Sequence, residues 1–239
     1  MACMSDAWSE IMRDAALGIS GEYYIERDDG RLETLSTLDY VRPILEWNEL
    51  ERLAIQHAKG NVLDIGCGAG RVAIYLQNLG HRVVGIDMAP GAVEACKMRG
   101  LRDAHIMSVA GLNFPESTFD TVIMFGNNFG LLGDDEKIIS MLQELHRITT
   151  PDGIILAGSA EVEKTDDTGH LRYHELNVSR NKPKGLIRLR VKYKGFIDDW
   201  VELRLASPNE MSVLAERSGW RLDRKYQRGG PYVGLLVKS

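Results

Sequence analysis

The stretch Val62-Leu63-Asp64-Ile65-Gly66-Cys67-Gly68-Ala69-Gly70 constrains this chain most: an apolar run opens into a loop with glycine at every second position, and a helix-like pattern follows from Arg71 to Leu79. It predicts a strand, a tight turn and a helix N-terminus. Glycines permit backbone angles closed to other residues, and they remove side chains that would hold a ligand off the main chain. Two readings of such a loop stand side by side, a plain strand-to-helix turn and a platform for a nucleotide. Context favours the second: a further apolar run, Arg82 to Ile86, ends in Asp87, 21 positions beyond Gly66. An acid about 20 residues on, at the end of the second strand, is where ribose hydroxyls are met.

A chain of 239 residues suits one α/β domain with an insertion, the favoured reading, or two small domains. With 44% hydrophobic and 26% charged residues, disordered and collagen-like classes are excluded. No apolar stretch approaches the roughly 18 residues of a membrane span, and Met1 to Glu10 carries acids where a signal peptide needs a basic region. A cytoplasmic location without membrane association is expected. Cys3, Cys67 and Cys96 show neither metal-ligand spacing nor an even disulfide framework, so reduced thiols are expected. Cys67, inside the glycine loop, reads either as a nucleophile or as a small apolar filler. His170 and His174 are the one i, i+4 histidine pair, and with no third ligand nearby no metal site is expected. The net charge is −5, yet Arg180, Lys182, Lys184, Arg188, Arg190, Lys192 and Lys194 follow one another without an intervening acid.

Along the chain, Trp8, Ile11, Met12, Ala15 and Leu17 share a helical face before Gly18 and Gly21 interrupt it, which suits a movable segment. Ser36 to Ala58 fits one or two helices with Pro43 and Asn48 as boundaries. After the loop and Asp87, a helix is predicted over Ala89 to Arg99, stopped by Gly100, with a short strand at His105 to Val109 and another at Phe119 to Phe125. Asp134 to Ile148 is amphipathic, with acids in its first turn and His146-Arg147 in its last. Ile154 to Ala157 is a fifth strand. Alternation of this kind implies a doubly wound, mostly parallel sheet with ligands at the strands' carboxyl ends. Beyond Ala160, the segments Leu171 to Val178, Leu186 to Tyr193 and Trp200 to Leu205 alternate like antiparallel strands, an inserted sheet extension. A helix at Pro208 to Arg217, a strand at Trp220 to Tyr226 and a closing strand at Tyr232 to Val237 follow.

These residues resemble the class I S-adenosylmethionine-dependent methyltransferases. Asp64 to Gly70 looks like that family's first motif, Asp87 like the acid ending its second strand, and Leu112 to Asp120 like its leucine-proline-phenylalanine segment before strand four. The dinucleotide-binding oxidoreductases carry their third glycine one residue later. The resemblance covers about residues 58–159 and 207–239 and implies a Rossmann-like seven-stranded sheet with an antiparallel last strand; the antiparallel β insertion after strand five is read from the alternation beyond Ala160 and not from the resemblance. The domains expected are an N-terminal helical lid over 1–57, a methyltransferase domain over 58–159 and 207–239, and a substrate-side insertion over 160–206. It implies S-adenosyl-L-methionine as cofactor, with Gly66, Gly68 and Gly70 beside its amino-acid moiety and sugar and Asp64 towards its ammonium. Asp87 would bind both ribose hydroxyls, and Met88 would pack on the adenine. Where many members carry an aspartate for the adenine amino group, this chain has Ser108, a weaker acceptor, followed by Val109, whose N–H would meet the ring nitrogen. The loop Phe125 to Leu132 corresponds to one beside the sulfonium. Its Asn127 and Asn128 face cofactor and substrate or cap the loop itself, and it lacks the Pro-Pro tetrapeptide of enzymes that methylate amino groups of nucleic acids.

Transfer from a sulfonium is an in-line displacement, so the protein positions, desolvates and at times removes one proton. The candidates on the acceptor side are Tyr23, Tyr24, Asn127, Asn128, His170, Tyr173 and His174. The basic ribbon separates two acceptor classes. Alternation places Arg188, Arg190, Lys192 and Lys194 on one strand face and Tyr193 on the other, whereas an RNA surface needs aromatic groups on the charged face. A small-molecule acceptor with an N or O nucleophile is therefore expected, by a monomer or homodimer, with RNA methylation and a non-catalytic cofactor-binding module as alternatives.

Overall fold

The computed structural model describes residues 6–239, so Cys3 lies outside the described residues. Helix α1 (Asp6–Ala16) buries Ala7, Ile11, Met12 and Ala15; of the predicted face Ile11, Met12 and Ala15 are buried and Trp8 is half-buried, whereas Leu17 lies past the helix end and is exposed. Strands β1 (Glu22–Arg27) and β2 (Leu32–Ser36) form a hairpin whose turn uses Gly30 at φ +88. The helix expected after Ser36 is broken up: a 3-10 turn at Thr37–Val41, another at Ile44–Glu46, and short α2 (Glu49–Ala54), started by Asn48, whose carboxamide oxygen accepts the Glu51 N–H at 2.8 Å. Pro43 and the Asn48 cap account for the breaks.

The central elements follow the predicted alternation: β3 (Asn61–Ile65), α3 (Arg71–Asn78), β4 (Arg82–Asp87), α4 (Pro90–Met98), β5 (Ala104–Ile106), β6 (Phe119–Met124), α5 (Asp135–Ile148) and β7 (Thr149–Ala160). Then come α6 (Thr168–Ser179), β8 (Leu186–Tyr193), β9 (Phe196–Ile197), β10 (Val201–Arg204), α7 (Pro208–Glu216), β11 (Trp220–Gln227) and β12 (Pro231–Lys238). Seven strands take the order β11-β12-β7-β6-β3-β4-β5, and β12 is antiparallel to its neighbours β7 and β11. This is the expected Rossmann-like sheet. Among the described residues no helix is long and apolar enough to cross a membrane.

Leu171 to Val178, read as a strand, is helix α6. Asp167 accepts the N–H groups of Gly169 and His170 at 2.8 and 3.0 Å, an N-cap that commits the segment to a helix. Tyr173, His174 and Asn177 are its buried positions, a helical and not an alternating set. The insertion is thus α/β, and its strands do not extend the large sheet as expected: β8 pairs antiparallel with β1, Val191 opposite Ile25, and β9 folds back on β8. The N-terminal segment is correspondingly part strand and not wholly helical.

The chain forms two compact units. The first holds the described residues up to Trp47 with Lys59–Asn113 and Arg188–Val201, and the second holds Asn48–Ala58, Phe114–Ile187 and Glu202–Ser239. In the first, β3 and β4 run parallel with Val62 opposite Val83, and β5 continues with Ile106 opposite Asp87. Val62, Leu63, Asp64 and Ile65 are all buried, the near-continuous pattern of a strand covered on both faces. Helix α1 is docked. It lies on α4 through small residues: the Gly91 N–H donates to Ser9 Oγ at 3.1 Å, and a Cβ on Gly91 would overlap the Ser9 backbone. Asp198 accepts the Ala7 N–H at 3.2 Å, and Asp14 accepts from the Tyr193 hydroxyl and from Lys194 Nζ. Both ends of α1 are therefore held by the β8–β9 hairpin.

In the second unit β6 and β7 are parallel, with Thr121 opposite Ile154. Helix α5 starts at Asp134, which accepts the Lys137 N–H at 3.0 Å, and α7 starts with a capping box between Ser207 and Glu210. The buried Arg204 guanidinium is shared between Asp135 at 3.1 Å and Glu210 at 2.6 Å.

The α1–α4 contact leaves no room for a side chain at Gly91. Gly91→Val is expected to destabilise the fold by about 2–3 kcal/mol through overpacking, a fall in Tm of about 4–12 °C for a chain of this size. Thermal melting by circular dichroism checks this, and an unchanged Tm would mean that α1 does not pack there in solution.

Candidate functional site

The glycine loop joins β3 to α3 with all three glycines left-handed: Gly66 at φ +68, Gly68 at +55 and Gly70 at +80, the last serving as the N-cap of α3. Other residues are strained at such angles. Space is also short at Gly70, where a Cβ would lie 3.0 Å from Ile74 Cδ1 and 3.1 Å from Cys96 Sγ. The N–H groups of Gly66 and Cys67 donate to the Ile86 carbonyl at 2.8 and 3.1 Å, which pins the loop to the end of β4. Asp87 follows directly. Its Oδ2 accepts the Gly68 N–H at 3.0 Å and its Oδ1 the Ala89 N–H at 2.9 Å. Burial pushes the Asp87 carboxyl above its ordinary value, against the pull of hydrogen bonds from Ala89, Gly68 and Met88.

Asp64 is buried near the end of β3, and Met88, just past β4, is exposed. Beyond β5, Ser108 Oγ accepts the Ala110 N–H at 3.2 Å and starts the 3-10 turn Val109–Gly111, with Val109 buried. Asp64, Gly66, Gly68, Gly70, Asp87, Met88, Ser108 and Val109 thus gather at the carboxyl ends of β3, β4 and β5, where open α/β sheets bind ligands. Cys67 and Cys96 are free thiols with sulfurs 3.6 Å apart. Hydrogen bonding to Cys96 together with burial pushes the Cys67 thiol well above its ordinary value. A buried thiol held in its protonated form suits the small apolar filler better than a nucleophile.

Asn127 and Asn128 belong to the second unit. Gly126 and Asn127 are both left-handed, at φ +69 and +70, and Asn127 opens the 3-10 turn Asn128–Gly130. On β7, Gly158 lets this loop cross closely: a Cβ there would lie 3.3 Å from the Gly126 nitrogen. His170, Tyr173 and His174 lie on α6, where the two imidazoles stack with centroids 6.3 Å apart. Tyr173 and His174, within the segment read as a strand, are buried on this helix. Among the described residues no group of histidine, cysteine and carboxylate side chains could hold a metal ion.

Tyr23 and Tyr24 point to opposite faces of β1, as successive strand residues must. Tyr24 is exposed and Tyr23 buried. The Tyr23 hydroxyl shares a 2.9 Å hydrogen bond with that of Tyr40, and Trp8 completes a cluster of three rings with centroids 5.9 to 6.1 Å apart. Burial pushes the Tyr23 phenol up to about 12. Tyr40 and Met12 approach Gly68 of the glycine loop, a contact that no local spacing signals, because that loop lies more than 20 residues away in sequence.

Comparison with known proteins agrees with this geometry. Residues 62–153 match a methyltransferase domain family. An uncharacterized methyltransferase of Schizosaccharomyces pombe is 31% identical over 134 residues, which cover 53% of this chain and 91% of the relative. The malonyl-[acyl-carrier protein] O-methyltransferase of Yersinia pestis is 29% identical over 123 residues, covering 51% of this chain and 45% of that enzyme. Against most of these curated relatives the chain spans less than half of their length. The crystal structure of a Bacteroides fragilis methyltransferase in complex with S-adenosyl-L-homocysteine shares the fold at a TM-score of 0.83, with 24% identity over 98% of this chain and 95% of that one. The left-handed glycine loop, the acid closing β4, the strand order and these likenesses agree, and the chain belongs to the class I S-adenosylmethionine-dependent methyltransferases.

Proposed function

We propose that this chain methylates a small, acidic acceptor at an oxygen or nitrogen nucleophile, with the cofactor held by the loop between β3 and α3 and by Asp87. The observation that carries the cofactor assignment is the Asp87 carboxylate, aimed along the glycine loop by two backbone N–H groups. A carboxylate so held has lone pairs left for both ribose hydroxyls. Gly66, Gly68 and Gly70 take the amino-acid moiety and sugar against bare backbone, and Asp64 faces the ammonium. Met88 covers the adenine, Val109 offers its N–H to the ring, and Ser108 keeps one lone pair for the amino group while the other accepts the Ala110 N–H. Asn127 faces the sulfonium. When bound, the cofactor supplies an electrophilic methyl group, and the protein supplies orientation and a dry site.

Tyr23 is a poor general base, since its phenol keeps its proton at neutral pH. In this reading it positions and does not deprotonate. His170, Tyr173 and His174 remain the acceptor-side candidates for holding or taking a proton, together with Asn128 as a hydrogen-bonding group. In this reading Cys67 and Cys96 act as reduced thiols in a cytoplasmic protein.

A small acceptor is favoured over RNA by what the basic ribbon already binds. Arg190 and Lys192 both pair with Glu26, at 2.6 and 2.7 Å; Lys194 pairs with Asp14, Lys182 with Glu202 and Lys184 with Glu163. Charge spent inside the protein is withheld from phosphates. One observation favours the RNA reading: Trp200 lies under Arg188 and Arg190, at 5.3 and 4.5 Å from the ring centroid, an aromatic group on the charged face. The malonyl group named for the Yersinia pestis relative supports an acidic acceptor. Incubation with labelled methyl donor and a panel of carboxylic acids, phenols and amines tests the reading. Labelling of RNA instead, or retention by RNA at low salt that Arg188→Glu/Arg190→Glu abolishes, would overturn it.

Asp87→Ala is expected to weaken S-adenosylhomocysteine binding about tenfold or more, since loss of a charged acceptor costs about 1.5–3 kcal/mol; calorimetry reads it, and unchanged affinity would remove Asp87 from the site. Only the ionised carboxylate accepts from both hydroxyls. Because burial raises the Asp87 value above 3.8, affinity should fall as pH drops into the acid range, with a midpoint above 3.8. The corresponding step should be missing from Asp87→Asn when both proteins are titrated by calorimetry across pH.

A further inference from the structure

The space above the glycine loop is not open. A Cβ on Gly68 would lie 3.3 Å from Tyr40 Cδ1 and 3.5 Å from Met12 Sδ, and the N–H of this same Gly68 holds the Asp87 carboxylate. We propose that Tyr40 is a cofactor-contact residue on the sugar side of the site, and that Tyr23 is the positioning residue that aims its hydroxyl.

Three sets of observations carry this, all resting on the reading that the loop and Asp87 hold the cofactor. The first is placement. Tyr40 sits in the 3-10 turn Thr37–Val41, fixed by the buried Thr37: its N–H donates to the Gly21 carbonyl at 2.9 Å, and its hydroxyl donates to the Ile19 carbonyl at 2.8 Å and accepts the Gly21 N–H at 3.0 Å. Ser36 caps the turn. These bonds fix the backbone of the turn, and the Tyr23 hydroxyl with the Trp8 ring holds the Tyr40 side chain.

The second is aim. Trp8 meets the Tyr40 ring edge-on at 5.9 Å, and the two tyrosine hydroxyls share one hydrogen bond of 2.9 Å. Two hydroxyls carry two protons, and one bond between them uses one, so the pair retains a proton to donate. The third is charge. Burial, Tyr23 and Asp87, in that order among other causes, hold the Tyr40 phenol well above its ordinary value. The phenol is therefore a neutral donor at working pH, within electrostatic reach of an acceptor carboxylate. A sugar hydroxyl can both donate and accept, and it fits between such a pair. Met12 adds a polarisable thioether to the same roof.

Calorimetry with S-adenosylhomocysteine tests the proposal on Tyr40→Phe, Tyr40→Ala, Tyr23→Phe and the double variant Tyr23→Phe/Tyr40→Phe, with Asp87→Ala as reference. Tyr40→Phe keeps the ring and is expected to bind about threefold to tenfold more weakly, with a modest fall in Tm because the buried Tyr23 hydroxyl loses its partner, and Tyr40→Ala more weakly still. Tyr23→Phe should lose about threefold, and nothing further on the Tyr40→Phe background, because its effect runs through the Tyr40 hydroxyl. Wild-type affinity in Tyr40→Phe and Tyr40→Ala, with affinity lost in Asp87→Ala, would overturn the role of Tyr40 and leave the site intact. Additive losses in the double variant would overturn the positioning role of Tyr23. Wild-type affinity in Asp87→Ala as well would instead overturn the site reading beneath both.

Discussion

The bonds from the N–H groups of Gly68 and Ala89 to the Asp87 carboxylate are what the rest of the site depends on. They tie a loop that follows one strand to an acid that ends the next, across a parallel pair in register from Asn61–Arg82 to Ile65–Ile86. The loop can reach the carboxylate only because its glycines accept left-handed angles. Burying a carboxylate costs free energy, visible as the upward push on Asp87, and the backbone hydrogen bonds offset part of that cost. A carboxylate kept in this state is poised for a ligand that offers hydroxyl donors.

The N-terminal segment belongs to the same structure as the loop. Helix α1 packs on α4 at backbone distance through Gly91, and Ala7, Ile11, Met12, Ala15, Ala92 and Ala95 share one apolar cluster with Tyr23, Val191 and Tyr193. Small residues allow this approach, and the approach brings Met12 to the glycine loop. Because β1 pairs with β8, the hairpin that carries Tyr23 also carries the partner strand of the insertion. The acids of the N-terminal segment meet the basic ribbon there: Glu26 takes Arg190 and Lys192, and Asp14 takes Lys194. From sequence the ribbon raises the RNA alternative, but much of its charge is paired within the chain.

Legibility in the sequence followed the range of the interactions. The strand-loop-helix at 62–79, the helix at 135–148 with its Asp134 cap, and the closing helix and strands were all readable, because caps, glycines and periodicity act within a few residues. Leu171 to Val178 misled, since its alternation of apolar and polar residues fits a strand while the Asp167 cap and the buried set Tyr173, His174 and Asn177 make it a helix. Tyr23 could be singled out as a candidate, but its partner Tyr40 could not. That pairing spans 17 residues and a hairpin, and no local pattern announces it.

The sequence by itself determined the fold family and the glycine loop with its acid, because a glycine loop, an acid one strand later and alternating strands and helices are each local signals with few structural solutions. Tertiary structure alone decided which side chains cover that loop, which bases of the ribbon are already neutralised, and which face of β1 carries a buried phenol. Those outcomes rest on contacts between segments far apart in the chain, such as Asp14 with Lys194, Met12 with Gly68 and Tyr23 with Tyr40, and packing chooses such partners by shape and burial, which no short stretch of sequence encodes.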